Sequence, residues 1–583
     1  MSRTLTGVGV SPGIGYGPAH VVEDAVPAPP PGDRHDGDAE AETHRALRAL
    51  EQVAADLQER GERAGGEGRA VLEAQAMMAR DPELAAEVAR LVGSGVSAAR
   101  AVHEGFGGYR EALAAAGGYL GARVADLDDV RDRAIAVLAG RPVSRVPAAA
   151  AEPYVLVARD LAPADTVLLS PDTVAAFVTE EGGPTSHTAI IARAMGVPAV
   201  VACPGAASVA PGAPVLVDGT SGRVRLDPPG EEVGAAREAE AARRSLLARA
   251  TGPGATADGH AVPLLANVGG PGDLESALAC GAEGVGLYRT ELLFLDRPRA
   301  PSVEEQEEAY AQVLEAFPGR PVVVRVLDAG ADKPLAFLPP PGEEPNPALG
   351  ERGARLLRAR PEVLAAQLTA LARAAARGGA RLSVMAPMVA TAEEAAWFAA
   401  ACRAAGLPSA GVMIEVPSAA LRAADLAAEV DFFSVGTNDL AQYAFAADRQ
   451  VGALAALHDA WQPALLDLVG AAASGAAAHG RPCGVCGEAA GDPALACVLV
   501  GLGVTSLSMS APALPAVRAA LARHTREQCV LAARAARAAS CPAGARRAAR
   551  AHLPGLAGLT GAGPDDPEPV EPGVSGSSGR SRG

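Results

Sequence analysis

Gly-Val-Met-Ile-Glu-Val-Pro (411–417) and Phe-Phe-Ser-Val-Gly-Thr-Asn-Asp (432–439) carry two short apolar runs, Gly411–Val416 and Phe432–Val435, with carboxylates and amides at their ends. Six more runs of that kind flank them: Val262–Val268, Gly284–Tyr288, Val322–Leu327, Leu382–Met388, Cys483–Val485 and Ser506–Met509. Most of the intervals have helical periodicity. Eight strands alternating with helices over about 250 residues predict a (β/α)₈ barrel. Catalytic groups of such barrels sit at the C-terminal ends of the strands, and here those ends hold Arg289, Arg325 with Asp328, Glu415, Asn438 with Asp439, and Cys486 with Glu488. Any one pair reads as a surface salt bridge; the set at matching strand ends does not. Arginines suit bidentate contact with phosphate or carboxylate. Two carboxylates, Glu415 and Asp439, suit a hard divalent cation that also takes substrate oxygens, as Mg²⁺ does. Together they predict a metal-assisted site for a small phosphorylated carboxylic acid.

The period changes upstream of the barrel. Residues 4–20 read as short strands broken by glycine turns, and 25–40 as an exposed Pro-rich loop. From about 41 to 140, Leu47, Leu50, Val53 and Leu57 open a run of three- and four-residue spacings, the mark of helices with one buried face. Strands follow at Tyr154–Val157, Val174–Val178, Pro198–Val201 and Val215–Val217, with a helix over about 188–195. Residues 230–250, charged and Ala-rich, predict a linking helix, and the Pro/Gly/Ser-rich C-terminus a disordered tail.

The remaining composition narrows the class. The 583 residues carry 51 Lys+Arg against 68 Asp+Glu, a net charge of −17. That balance offers no basic stripe for a nucleic-acid backbone and is compatible with a basic protein partner. The eight cysteines are scattered and do not form a secreted disulfide framework. No apolar stretch predicts a membrane span and no signal-peptide core is present, so the expected location is the cytoplasm. Cys483-Gly-Val-Cys486 lacks a second pair or enough histidines for a zinc site, and Cys486 reads better as a single reactive thiol.

Gly-Gly-Pro-Thr-Ser-His-Thr (182–188) puts His187 at a strand-to-helix turn. Amides at a helix start can hold an anion, and a neutral imidazole is nucleophilic near pH 7. Thr185 or Ser186 as a helix cap beside an incidental histidine is the other reading, and spacing alone leaves the two equal.

Several stretches resemble enzyme I of the bacterial phosphoenolpyruvate–sugar phosphotransferase system, over about residues 5–540. They are 182–193, Gly-Ala-Glu-Gly-Val-Gly-Leu-Tyr-Arg-Thr-Glu (281–291), 412–417, 432–443, Cys-Gly-Glu (486–488) and Ser-Met-Ser-Ala (508–511). The resemblance implies a multidomain α/β chain. Its expected parts are a phosphohistidine α/β domain (1–21 and 144–230) with an inserted helical, HPr-binding subdomain (22–143), a linker helix (231–250), a phosphoenolpyruvate-binding barrel (251–555) and a tail (556–583). It implies phosphate transfer from phosphoenolpyruvate to His187, then to a histidine of the carrier HPr, with release of pyruvate, in the service of sugar uptake. It assigns Thr166 to the His187 ring; Arg289, Arg325, Asn438 and Arg449 to substrate; Arg352 to a place beside the site; Glu415 and Asp439 to Mg²⁺; and Cys486 to protonation of C3 of enolpyruvate. It further implies a homodimer through the barrel.

The chain departs from the family pattern at Val326 (usually Thr), Ala331 (usually Gly), Ala348 and Glu351 (usually aromatic), and at Gln75, where many members carry a histidine facing HPr. A dikinase or phosphoenolpyruvate synthase would need a large nucleotide-binding domain, for which the helical residues before His187 offer no phosphate loop. The competing reading from another class is a catalytically weakened scaffold that binds HPr.

Overall fold

A computed structural model describes residues 3–559, except 23–27, 65, 117–123, 142–145, 147–151, 162, 167–168, 184–185, 296, 298, 340–341, 343, 450 and 557–558. The expected tail therefore lies almost wholly outside the described residues.

The N-terminal strands β1 (Arg3–Thr6), β2 (Val8–Ser11) and β3 (Ile14–Val21) share one sheet with β4 (Tyr154–Ala158), β5 (Val174–Thr179), β6 (Ala199–Val201), β7 (Pro214–Asp218) and β8 (Arg223–Leu226). Its order is β1-β8-β7-β3-β4-β5-β6-β2. The β3–β4–β5–β6 centre is parallel, and the flanks are antiparallel. The Val- and Ala-rich central strands are buried on both faces, as parallel strands covered on each side must be.

Between β3 and β4 the described residues form five helices: α1 (Ala39–Ala64), α2 (Gly66–Ala79), α3 (Pro82–Gly93), α4 (Ala98–Ala116) and α5 (Val124–Leu138). Leu50, Val53 and Leu57 of α1 enter one core with Leu84, Val88 and Val92 of α3; Leu47 is only partly covered. α3 starts where Pro82 can occupy the first turn and Asp81 Oδ1 accepts the Glu83 and Leu84 amides at 2.9 and 2.8 Å. Gln75, at the position where the resemblance expects a histidine facing a carrier protein, is fully buried in this bundle, where its Nε2 donates to Asp126 at 3.3 Å. Its position on α2 points into the bundle.

One buried charge joins the bundle to the sheet domain. Arg133 of α5, with no exposed side-chain surface, pairs with Asp129 at 2.8 Å and with Asp165 at 2.6 Å. Asp165 belongs to the short helix α6 (Pro163–Thr166). Burial opposes the guanidinium charge, but the two carboxylates outweigh it and hold Arg133 above its ordinary range. Arg133→Met would leave two buried carboxylates without their cation, and should destabilise this half of the protein by about 3–5 kcal/mol. Denaturant melts followed by helix signal check this; a loss below about 1 kcal/mol would mean that the carboxylates find solvent or other partners.

After α7 (His187–Met195) and β6–β8, the long helix α8 (Gly230–Arg249) leads to the barrel. It is packed rather than free-standing: Glu240 accepts the Ile14 amide at 3.3 Å, and Arg237 lies 4.9 Å over the Tyr16 ring.

The barrel is closed and wholly parallel: β9 (Leu264–Val268), β10 (Val285–Arg289), β11 (Pro321–Arg325), β12 (Arg381–Ala386), β13 (Ala410–Ile414), β14 (Phe432–Val435), β15 (Cys483–Val485) and β16 (Ser506–Met509), which pairs back onto β9. The eight strands are those expected from the apolar runs, with ends shifted by a residue or two. In the third run the strand stops at Arg325. Val326 and Leu327 remain buried, and the Leu327 amide goes to the Gln367 side chain at 3.0 Å instead of to a neighbouring strand. Val326, where the resemblance expects Thr, is fully enclosed in the barrel core. No helix among the described residues is long and apolar enough to cross a membrane.

Candidate active site

The C-terminal ends of the barrel strands converge as expected, and the charged side chains there form one connected network. Arg325, the last residue of β11, is buried. Its Nη2 lies 3.0 Å from Glu291, and its Nη1 lies 3.5 Å from Asp328 and 3.8 Å from Glu415. Asp328, completely enclosed, receives Lys333 at 2.8 Å and Arg352 at 3.0 Å. Arg352 extends the chain to Asp332 at 3.0 Å and Asp439 at 3.2 Å. Arg449 Nη1 is 3.9 Å from Asp439. The network thus brings together Arg325, Glu415, Asp439, Arg352 and Arg449. Asn438 stands half-buried beside Asp439 in the helix Thr437–Phe445, and Arg289 is exposed at the rim.

The electrostatics separate two kinds of carboxylate. Burial opposes the charge on Asp328, yet Lys333, Arg325 and Arg352 hold its pKa well below the ordinary range, so it is a fixed anion. Glu415 is pushed up to about 7, first by burial and then by the charge of Asp439, with Arg325 only partly compensating. Its Oε2 accepts the Met388 amide at 2.9 Å. Gly436 is needed for this approach: a Cβ there would stand 2.8 Å from Glu415 Cγ. Glu415 and Asp439 are therefore two buried carboxylates with too little positive charge between them.

Cys486 follows β15 directly and is buried with Leu287, Met385, Met413 and Phe432 inside the barrel mouth. Its Sγ lies 3.6 Å from the Val435 carbonyl. Burial raises the thiol to about 11, against a smaller lowering by Ser434. The thiol is more firmly protonated than an ordinary cysteine, and neither it nor Cys483 forms a disulfide. Met413 links it to the charged network, since Arg325 Nη1 lies 3.8 Å from the Met413 sulfur.

His187 and Thr166 sit in the sheet domain. Ser186 caps α7 by accepting the Ala189 amide at 3.3 Å, and Gly196 ends it in the left-handed region at φ 65°. His187 is the first residue of that helix, where backbone amides lack helical partners. Its side chain and residues 184–185 lie outside the described residues. Thr166 is buried at the end of α6, next to Asp165.

Sequence reading missed the supports under these groups. Gln367, fully buried, donates to the Thr290 and Tyr310 hydroxyls at 3.2 and 3.0 Å, and Thr290 donates to the Arg325 carbonyl at 3.0 Å. Glu291 accepts the Asp328 amide at 3.0 Å while pairing with Arg325. The one legible signal was a glutamine on the apolar face formed by Leu364, Leu368 and Leu371. A lone polar residue on such a stripe needs buried partners.

Comparison with known proteins assigns each segment. Residues 6–123 match the N-terminal domain of PEP-utilising enzymes, 150–222 their mobile domain and 244–526 their PEP-binding domain. A phosphoenolpyruvate-protein phosphotransferase of Streptomyces coelicolor is 62% identical over 532 residues, 91% of this chain and 95% of that protein. One of Haloferax volcanii is 44% identical, covering 89% of this chain and 94% of its own. A solution structure of an enzyme I protein is 32% identical over 41% of this chain and 99% of that one, with a TM-score of 0.37. Identity at this level along nearly the full length of both chains, in a protein that carries all three matched domains and a closed parallel barrel, means that this chain belongs to the phosphoenolpyruvate-protein phosphotransferases, the enzyme I family.

Proposed function

We propose that the protein transfers phosphate from phosphoenolpyruvate to His187 and then to a histidine of the carrier HPr, in the cytoplasm, as the first step of sugar uptake. The observation that carries this reading is the buried network at the barrel mouth, in which Arg325 reaches both Glu415 of the Glu415–Asp439 pair and the Met413 sulfur that packs beside the neutral Cys486 thiol. In this reading Arg289 and Arg325 bind the phosphate, Asn438 and Arg449 make further substrate contacts, and Arg352 holds Asp328 and Asp439 in place. The imidazole of His187, held by Thr166, attacks phosphorus. A P–N bond forms as the P–O bond to the enol breaks, and enolpyruvate leaves. Cys486 then gives a proton to C3, which completes pyruvate.

The residues present fit Mg²⁺. Glu415 and Asp439 are hard oxygen donors that repel each other in a buried site, a conflict that a divalent cation resolves. These two carboxylates would hold it, and the bound cation would neutralise charge on the phosphate oxygens. A homodimer through the barrel, as in the family resemblance, completes the proposal.

The test is to incubate the protein with ³²P-labelled phosphoenolpyruvate and Mg²⁺, with labelled ATP as control. One acid-labile phosphohistidine at 187 is expected from phosphoenolpyruvate alone, and chased into HPr. Label retained by the His187→Ala protein would sink the assignment.

A further inference from the structure

Arg193 lies in α7, the helix that begins at His187, and Glu488 lies two residues beyond Cys486 in the barrel. Their side chains meet across the two domains, with Arg193 Nη1 2.5 Å from Glu488 Oε2. The other edge of the guanidinium is tied to its own domain, since Nε donates to the Val10 carbonyl at 2.8 Å. A second contact lies beside the first. Gly196, which ends α7, faces Pro512, so that a Cβ at position 196 would stand 3.5 Å from the Pro512 Cβ. Both barrel partners lie in the loops after β15 and β16, at the mouth that holds Cys486. The segment bearing Arg193 matches a domain described as mobile, so this seam must open whenever that domain leaves the barrel.

We infer that the Arg193–Glu488 ion pair is a docking contact that sets the register of the mobile domain on the barrel for the step that uses phosphoenolpyruvate. This rests on the proposed function. The two side chains are 22% and 44% exposed. A pair so open to water adds little affinity, which suits a contact that is made and broken in every cycle. Charge pairs of this kind fix orientation and speed encounter, and salt weakens them. Arg193 and Glu488 are thus positioning residues: neither needs to touch substrate, and both act through where they place α7.

Single-turnover labelling of His187, by phosphoenolpyruvate in one assay and by phospho-HPr in another, tests this. Glu488→Gln should slow the first reaction by about 2- to 5-fold at low ionic strength and flatten its salt dependence. It should leave the second unchanged. Glu488→Lys, which sets two cations face to face, should slow the first further. Arg193→Gln also weakens the bond to Val10, and any damage inside the sheet domain will appear in the phospho-HPr reaction. Adding Glu488→Gln to Arg193→Gln should then cost nothing more in the phosphoenolpyruvate reaction, because the pair is already broken. Equal slowing of both reactions by Glu488→Gln, no slowing of either, or additive losses in the double variant would each overturn the proposal. A wild-type protein that takes no label from phosphoenolpyruvate would remove the reading on which it stands, a result distinct from these three.

Discussion

Glu415→Gln should yield a protein that melts higher than the wild type in EDTA at pH 8 and yet transfers almost no phosphate from phosphoenolpyruvate. The two effects share one cause. The Glu415 carboxyl sits near 7 in the folded protein against an ordinary 4.5, so between those pH values the folded state holds a proton that the unfolded chain has released. Stability therefore falls as pH rises through that window, and above about pH 7 the full deficit, on the order of 3 kcal/mol, is present. The amide replacement carries no charge, and its oxygen can still accept the Met388 N–H. It removes that deficit but also removes one of the two proposed anchors for Mg²⁺. Loss of a single supporting contact to a metal ligand costs about 10–100-fold, and loss of the ligand itself should exceed that. Melts of both proteins from pH 5 to 8, in EDTA and in Mg²⁺, give the check. The wild type should fall relative to the variant as pH rises in EDTA and recover with Mg²⁺. A variant that melts lower than the wild type in EDTA at pH 8, or one with normal Mg²⁺-dependent transfer, would place the cation elsewhere.

Cys486→Ala should reduce phosphoenolpyruvate-driven turnover by about 10²- to 10⁴-fold, the range expected when a positioned acid is lost. Exchange of phosphate between His187 and HPr should stay near normal, since in the proposed mechanism it involves no carbon acid and takes place in the sheet domain. Because burial raises the thiol to about 11, it stays neutral across the physiological range. Proton donation should therefore not fail until the pH is well above that of an ordinary cysteine, and alkylation by iodoacetamide at pH 7.5 should be slow. The bland alternative is a packing role among Leu287, Met385, Met413 and Phe432. Truncation would then weaken the protein as a whole and lower proton exchange at C3 of pyruvate and the HPr exchange together. Measuring that exchange and the HPr exchange on the same folded variant decides between them: equal loss in both means packing.

How much of this could be read from the chain alone follows from the range of the forces involved. The eight barrel strands were legible because each is a short apolar run, and burial on both faces leaves that pattern in consecutive residues. The helical bundle was legible because Leu50, Val53 and Leu57 repeat at the period of a helix. Arg325, Glu415, Asp439 and Cys486 stood out because a barrel gathers strand ends into one place, so topology turned separate motifs into a candidate site. What stayed hidden depends on neighbours far apart in sequence. Nothing in residues around 415 shows that its carboxyl is buried near the charge of Asp439, and so is pushed up to about 7. Nothing around 75 shows that its glutamine turns inward to Asp126. The meeting of Arg133 with Asp165, of Gln367 with Thr290 and Tyr310, and of Arg193 with Glu488 arises only when helices and loops from different parts of the chain pack together. Local pattern records which face of an element is covered. Which charge lies opposite, and how much water lies between, is decided by the tertiary structure, because electrostatic energy depends on distance and dielectric rather than on order along the chain.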